Sequence, residues 1–566
     1  MIKDILLVFK THLDIGYTDY AAAIKEKYLT EYLPNAVRVA RESEGSDCPF
    51  VWTTGAWLIE EALKRDDGTL DAAIRDGLVT WHAMPFTVHT EYMNQALLEA
   101  CLDVSARLDE RYGRKTIAAK MTDVPGHTAG IVPLLAARGV ELLHIGVNPG
   151  TPVPKVPEIF RWRHDGAQIT VIYSGEYGGV CEYGETALAF GFTGDNCGPQ
   201  GGEQLRAVYQ NLRQRYPGAA VRAATLDDMA KALRGADLPV VEGEIGDSWI
   251  YGAASDPKKT SAFRHILRSI PSFAGKDLND SLLLVPEHTW GMSHIFFDQE
   301  NKSDWKPDEL EACLTRGTIE RSWEEQREYV VRAADQLGVD LTDAVTVEKP
   351  DTSSMTPFDG NPRAEVSYQL FTWADYERYY HAYVRDNNVG SFLKVGMPDV
   401  PGGIYEPRVA GAWKEGGTSV FRLAFDDEIR DFCGLPELWL LERADYVELR
   451  WFGKRINRLP EAFWLRLPEV RDGAELLKLG DWIDPEKSVY MKTLHAMWAV
   501  RGPEYEIESL DAPLAAPYGR RLLTWNEPLG EQDLCFNLYN NVWNTNFPLW
   551  YSDDAKFRFL IRKREP

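Results

Sequence analysis

The chain has 566 residues, too many for one ordinary core, so two or three domains are expected. Its 62 basic and 86 acidic residues leave a formal charge of −24 and no run of Lys and Arg, which excludes a phosphate-reading nucleic-acid surface and favours neutral or weakly charged substrates. The seven scattered cysteines form no CxxC pair, which excludes a disulfide framework and a thiolate zinc site.

The N-terminus, MIKDILLVFKTHLD, is neither a signal peptide nor a membrane span, and a cytoplasmic protein is expected. Up to about residue 250, short β-rich runs alternate with amphipathic helices. Strands are predicted at 5–9, 50–53, 78–81, 116–121, 140–145, 169–173, 221–224 and 239–241. Most are apolar on both faces, as buried parallel strands are. In 94–112, Leu97, Cys101, Val104, Leu108 and Tyr112 recur at helical spacing and share a face. A second helix is predicted after Asp123, ending near Gly139. Such βα units imply a parallel sheet or a barrel, with chemistry at the C-terminal ends of the strands.

From about 261 to 338 the pattern is helical, and 318–337 (TIERSWEEQREYVVRAADQL) is its longest stretch. A Pro/Ser/Thr/Asp-rich linker follows at 349–362. Beyond about Gly390, short alternating strands such as 446–452 and 557–560 predict a β-sandwich. The expected layout is 1–260 catalytic, 261–348 helical bundle, 349–389 linker and connecting segment, and 390–566 β-sandwich.

The first strand ends in Thr11-His12-Leu13-Asp14-Ile15-Gly16-Tyr17. Residues two apart on an extended segment point the same way, so His12 and Asp14 can reach one ion, and both donor types suit zinc. The fourth strand runs into Asp123-Val124-Pro125-Gly126-His127. Asp123 sits on the same rim, although the cap of a following helix is an alternative reading of it. A third segment is Pro286-Glu287-His288-Thr289-Trp290. Other polar groups at strand ends are Trp81 with Glu91, Glu176 in YSGEYGG and Asp247 in EIGDSWIYGAASDP. Paired carboxylates at a barrel mouth are what glycoside chemistry requires, one as nucleophile and one as proton donor. The 11% aromatic content, with 18 Trp, fits either a large core or flat platforms for sugar rings.

With these residues in view, the chain resembles glycoside hydrolase family 38, the class II α-mannosidase superfamily, and within it the branch of DUF5054 proteins. The likeness runs over about 1–345. His12, Asp14 and Tyr17 resemble the opening His-x-Asp-aromatic motif, with Tyr17 where many members carry Trp. Asp123-Val124-Pro125-Gly126-His127-Thr128 resembles the nucleophile motif without its phenylalanine, and EHTWGMSH the last ligand motif, with His288 in the ligand's place. GDSWIYGAASDP resembles a further Gly-Asp-Phe-Phe-type segment. The family's acid motif, Gly-Asp-Asp-Phe, is not found intact, so Glu176 is nominated as acid and Asp247 as second choice.

The resemblance implies an α/β fold with a distorted (β/α)7-type barrel of parallel strands, then a helical bundle and a C-terminal β-sandwich. It implies one divalent metal ion, zinc by preference, on His12, Asp14, Asp123 and His288. Asp123 would be the nucleophile of a retaining, α-mannosidase-like glycosidase with a carbohydrate substrate. Tyr17, Trp81, Glu91, Trp249, Tyr251, Trp290, Trp543 and Asn544 are expected to line the sugar site. A homo-oligomer is compatible with a large β-domain; nucleic-acid and membrane partners are not expected. The alternatives are a metal-dependent carbohydrate deacetylase and a non-catalytic carbohydrate-binding protein.

Overall fold

The computed structural model describes residues 1–296, 304–314, 317–385, 393–470, 474–488, 493–520, 522–525 and 533–564. The chain divides into two compact units. The first comprises Met1–Thr90, Gln95–Ile245 and Ser272–Thr289, and the second Glu91–Asn94, Gly246–Pro271 and Trp290–Pro566.

The first unit is α/β. Its strands are β1 (Asp4–His12), β2 (Trp52–Gly55), β3 (Val79–His82), β4 (Ala118–Asp123), β5 (Leu142–Val147), β6 (Ile159–His164), β7 (Ala167–Ser174), β8 (Val180–Tyr183), β9 (Thr186–Asp195), β10 (Ala220–Ala223) and β11 (Val240–Glu242). One sheet has the order β3-β2-β1-β9-β8, with β10 also on β1; the other has the order β11-β6-β7-β5-β4. β1 runs parallel to β2, β9 and β10, and β4, β5 and β7 run parallel to one another. Two hairpins, β6–β7 and β8–β9, are antiparallel, so the sheets are mixed. The turn of the first hairpin is Asp165-Gly166, with φ of 43° and 71°. Two positive φ values match the twist of a tight hairpin, and Asp-Gly is the dipeptide that tolerates them.

The alternation of side chains sets what each strand turns inward. Leu6 and Val8 of β1, Ala118 of β4, Leu142 of β5, Ile172 of β7 and Leu188 of β9 form one apolar core shared by the two sheets. Two residues further along are Lys10 on β1, Lys120 on β4, His144 on β5 and Ser174 on β7, all buried. The period of two places them on the same face as the core residues. The inward face therefore turns from apolar to polar towards the C-terminal strand ends.

The helix Gln95–Tyr112 buries Leu97, Cys101, Val104 and Leu108. The helix Ile131–Ala137 is followed by Gly139 at φ 79°. In the second unit, the helix Thr318–Leu337 stops at Gly338 in the left-handed conformation, a glycine C-cap. Two antiparallel sheets follow, ten- and six-stranded. Tyr368, Phe463 and Phe536 of the smaller and Leu440, Leu449 and Phe557 of the larger belong to one apolar cluster, so the sheets share a core. Within 349–389 the chain forms the strand Glu365–Leu370 and the helix Trp373–Tyr383. Among the described residues no helix is long and apolar enough to cross a membrane, and the seven cysteines are free.

Gly55 ends β2 where the chain after β3 crosses it: a Cβ there would lie 1.9 Å from the Pro85 carbonyl oxygen. Backbone cannot swing aside as a side chain can. Gly55→Ala is expected to destabilise the protein by roughly 1–3 kcal/mol, read as a lowered denaturation midpoint.

Candidate metal centre

β1 ends at His12, and a bulge in its pairing with β9 brings His12 opposite Asp195. Two residues on is Asp14. Its peptide is clasped by the Asn196 side chain, which accepts from Asp14 N at 3.1 Å and donates to Asp14 O at 3.0 Å. The His12 carbonyl accepts from Asn196 N at 3.0 Å and from the Tyr28 hydroxyl at 3.1 Å. Asp123 closes β4 with φ at 83°, a conformation a non-glycine residue keeps only when its surroundings hold it. Its Oδ1 accepts from Asn148 Nδ2 at 2.9 Å and from the Tyr177 hydroxyl. The next helix starts at Ile131, so Asp123 is not its cap.

His288 arrives from far along the chain. Val88 and Glu287 form an antiparallel bridge, and His89 N donates to Pro286 O at 2.9 Å. The Thr289 hydroxyl lies 2.9 Å from the Ile15 carbonyl. These contacts tie the 286–289 segment to the ends of β1 and β3.

The four side chains converge, with one donor atom from each within 4.8 Å of the others, and all four are buried. His12 Nε2 is 2.9 Å from Asp14 Oδ1, and His288 Nε2 is 3.0 Å from Asp14 Oδ1 and 3.4 Å from Asp123 Oδ2. Neither Nε2 has the geometry of a hydrogen bond despite these distances. Two imidazole and two carboxylate donors, with buried nitrogens not spent on hydrogen bonds, fit a divalent cation such as zinc. Behind His288, Glu287 Oε1 stands 2.6 Å from Nδ1, and its Oε2 accepts from Thr289 N at 2.8 Å. A carboxylate behind the ligating imidazole fixes its orientation and raises its basicity.

The electrostatics follow from the packing. Burial opposes ionisation of Asp14, but His12 and His288 outweigh it and hold the carboxyl well below the usual range. Burial likewise opposes a charged His288, and Glu287, Asp123 and Asp14 override it and raise the imidazole well above its ordinary value. A cation competes with that proton for the same nitrogen. Asp195 is pushed up to about 6, by burial first and then by Asp14, with His12 opposing and Asp123 adding to the rise. Burial pushes the Lys10 ammonium down to about 7, against Asp195 and Asp123.

The other expected site residues are placed as follows. Tyr17 is half-buried beyond Asp14, and Glu176 is exposed on the turn after β7, where its neighbour Tyr177 is the residue that reaches Asp123. Trp81 is buried, with Nε1 donating to Asp109 at 3.1 Å and the Arg114 guanidinium 4.2 Å over its ring. In the second unit, Glu91 is salt-bridged to Lys478 at 2.6 Å. Trp249 and Trp543 have ring centres 5.5 Å apart, and the Tyr251 hydroxyl donates to Thr524 O. Trp290 lies beneath Lys259 Nζ at 3.7 Å, and Asn544 donates to Leu393 O. Asp247 caps a short 3-10 helix, accepting from Trp249 N at 3.0 Å and the Tyr383 hydroxyl at 2.6 Å.

Sequence reasoning missed Asp195. The signal was Gly194-Asp195-Asn196 at the end of β9, a strand not predicted. It keeps the Gly-Asp start of the resembled acid motif with Asn in third place.

With the geometry in view, comparison with known proteins places the fold. The DUF5054 family, a domain of unknown function, matches residues 253–359, a stretch that includes His288. No curated protein matches the sequence. Among solved structures, an α-mannosidase from Enterococcus faecalis V583 superposes with a TM-score of 0.57 at 9% identity, over 99% of this chain and 87% of that one. A protein in glycosyl hydrolase family 38 from Enterococcus faecalis superposes with a TM-score of 0.53 at 8% identity, over 100% and 86%. The chain shares the fold of these family 38 proteins.

Two outcomes are expected. Untagged protein carries about one divalent ion per chain by elemental analysis, and His288→Ala loses most of it; equal metal in both proteins would break the centre apart. Burial also pushes Asp247 up to about 7 from an ordinary 3.8. Between those values the folded state keeps a proton that the unfolded chain has released. Stability should therefore fall as pH rises through that window, by on the order of 4 kcal/mol at most. Denaturant titrations at pH 5 and 8 should show the fall, and Asp247→Asn should flatten it.

Proposed function

We propose that this chain is a metal-dependent, retaining, α-mannosidase-like glycoside hydrolase acting on a carbohydrate. One divalent ion, zinc by preference, would sit on His12, Asp14, Asp123 and His288. The first 260 residues would act as a distorted β/α barrel, followed by a helical bundle (261–348), a connecting segment (349–389) and a β-sandwich (390–566). The observation that carries the reading is the convergence of those four donors from three distant segments onto one strand-end rim that also bears Asp195.

The roles follow from the surroundings of each group. When bound, the ion would hold adjacent sugar hydroxyls and keep Asp123 ionised. Tyr177 and Asn148 fix the Asp123 carboxylate, which attacks the anomeric carbon as the bond to the leaving oxygen breaks. Asp195 replaces Glu176 as the proposed acid. Burial raises its pKa, which favours the protonated form that can give its proton to the leaving oxygen. It then takes a proton from the water that cleaves the glycosyl–Asp123 ester, restoring both carboxyls with retention of configuration.

The test uses leaving groups. Asp123→Asn should abolish turnover of every glycoside. Asp195→Asn should lose roughly 10²–10⁴ in rate on a poor leaving group and far less on a dinitrophenyl glycoside, which needs no protonation. Equal losses on both substrates would remove Asp195 from the role, and an active Asp123→Asn would end the nucleophile assignment.

A further inference from the structure

Below the rim of the first unit lies a cleft enclosing about 480 Å³ of atom-free space, solvent at its mouth included. β1 lines one side from Val8 to Leu13, so His12 belongs both to the donor cluster and to the cleft wall. Lys10, Thr53, His82 and Lys120 also line it, and none of the lining residues is acidic. For a chain of net charge −24, a lining with two lysines and no carboxylate is a local departure from the average composition.

The polar atoms of this wall are short of partners. Lys10 is 3% exposed and its Nζ has no hydrogen-bond acceptor. It rests against the rings of Phe192 at 4.5 Å and Tyr177 at 5.7 Å. His82 Nδ1 and Thr53 Oγ1 are buried and likewise unpartnered. Lys120, 4% exposed, uses two of its donor directions on His144 Nδ1 at 2.9 Å and Tyr177 O at 3.3 Å. A buried ammonium with no acceptor is costly, and a ligand that supplies one recovers that free energy. A neutral hydroxyl can satisfy one such donor. Burial pushes Lys10 down to about 7 and holds Lys120 well below the ordinary lysine value. Two lysine amines, a hydroxyl and an imidazole around one space are therefore met together by a compact oxyanion, whose several acceptor oxygens and negative charge favour protonation of both lysines.

We propose that this cleft is a subsite for an oxyanion, a carboxylate or phosphate carried by the sugar substrate, with the Lys10 and Lys120 side chains as its contacts. The shared wall at His12 puts the anionic group and the sugar hydroxyls of the centre on one ligand. The identification of that ligand as substrate rests on the glycosidase reading; the anion subsite does not.

The experiment measures binding of mannose, mannose 6-phosphate and glucuronate to the full chain by calorimetry, for wild type, Lys10→Met and Lys120→Met, with metal content and circular dichroism as checks of integrity. Wild type should bind an anionic sugar roughly tenfold or more tightly than mannose, and each Met variant should lose that preference with its metal retained. Preference for only one anionic sugar identifies the group as phosphate or carboxylate. Equal binding of all three sugars, or a preference that survives in both variants, overturns the subsite. If Lys10→Met fails to fold, Lys120→Met decides. Hydrolysis of neutral mannosides without any Lys-dependent anion preference would sink the subsite and leave the hydrolase standing. Lys-dependent anion binding with no glycoside hydrolysed would do the reverse.

Discussion

Asp14 and Asp123 are two carboxylates held out of water within reach of a single imidazole nitrogen of His288. Buried charge of one sign at that spacing persists only if something of opposite sign is held between or beside it. Much of the surrounding chain serves that demand. Asn196 grips the Asp14 peptide on both its N–H and its carbonyl, Tyr177 and Asn148 hold Asp123 in a backbone conformation it would not otherwise keep, and Glu287 braces His288 from behind. Donors already held in place in this way would lose little ordering entropy to a bound cation.

The same strand geometry generates the neighbouring cleft. Along β1 the inward positions read Leu6, Val8, Lys10 and His12, and along β4 Ala118, Lys120 and Thr122. Apolar residues lie at the start of the strands and ionisable ones towards their ends. The alternation thus builds a core and then a polar layer; on β1 it continues to His12, whereas Asp123 leaves it with φ at 83° and His288 is delivered by the separate 286–289 segment. Lys120, His144 and Ser174 form a relay of hydrogen bonds across β4, β5 and β7 that gives the polar layer a fixed shape. The overall charge of −24 concealed this layer, because net charge averages over a surface and says nothing about two lysines turned inward.

Legibility in the sequence followed the range of the interaction. The eight runs picked out as strands all overlap strands of the first unit; burial on both faces leaves a continuous apolar signature in strands such as β4 and β5, while β10 and β11 are partly exposed. β6, β8 and β9 escaped. They carry polar residues such as Arg161, Arg163 and Glu182 on a face that is not buried, and the Asp165-Gly166 turn between β6 and β7 was the available clue. Missing β9 meant missing Asp195, because a carboxylate is read as a strand-end group only once the strand is seen. Glu176 and Trp81 were read from their proximity to strand ends. In the structure Glu176 is exposed, and Trp81 is buried with its Nε1 bonded to Asp109 and the Arg114 guanidinium over its ring.

Local rules sufficed where the physics is local. His12 and Asp14 share a side because an extended chain repeats every two residues, and the helix Thr318–Leu337 ends at Gly338 because only a residue without a Cβ enters the left-handed conformation cheaply; His288 entered the expected donor set only through the family resemblance. Tertiary structure alone decided which distant groups meet. The Val88–Glu287 bridge that delivers His288, the β1–β9 bulge that sets Asp195 opposite His12, and the packing that brings Lys10 and Lys120 to one cleft all join segments far apart in the chain. No propensity or spacing encodes such meetings, because they are fixed by the packing of the whole sheet and not by the residues on either side.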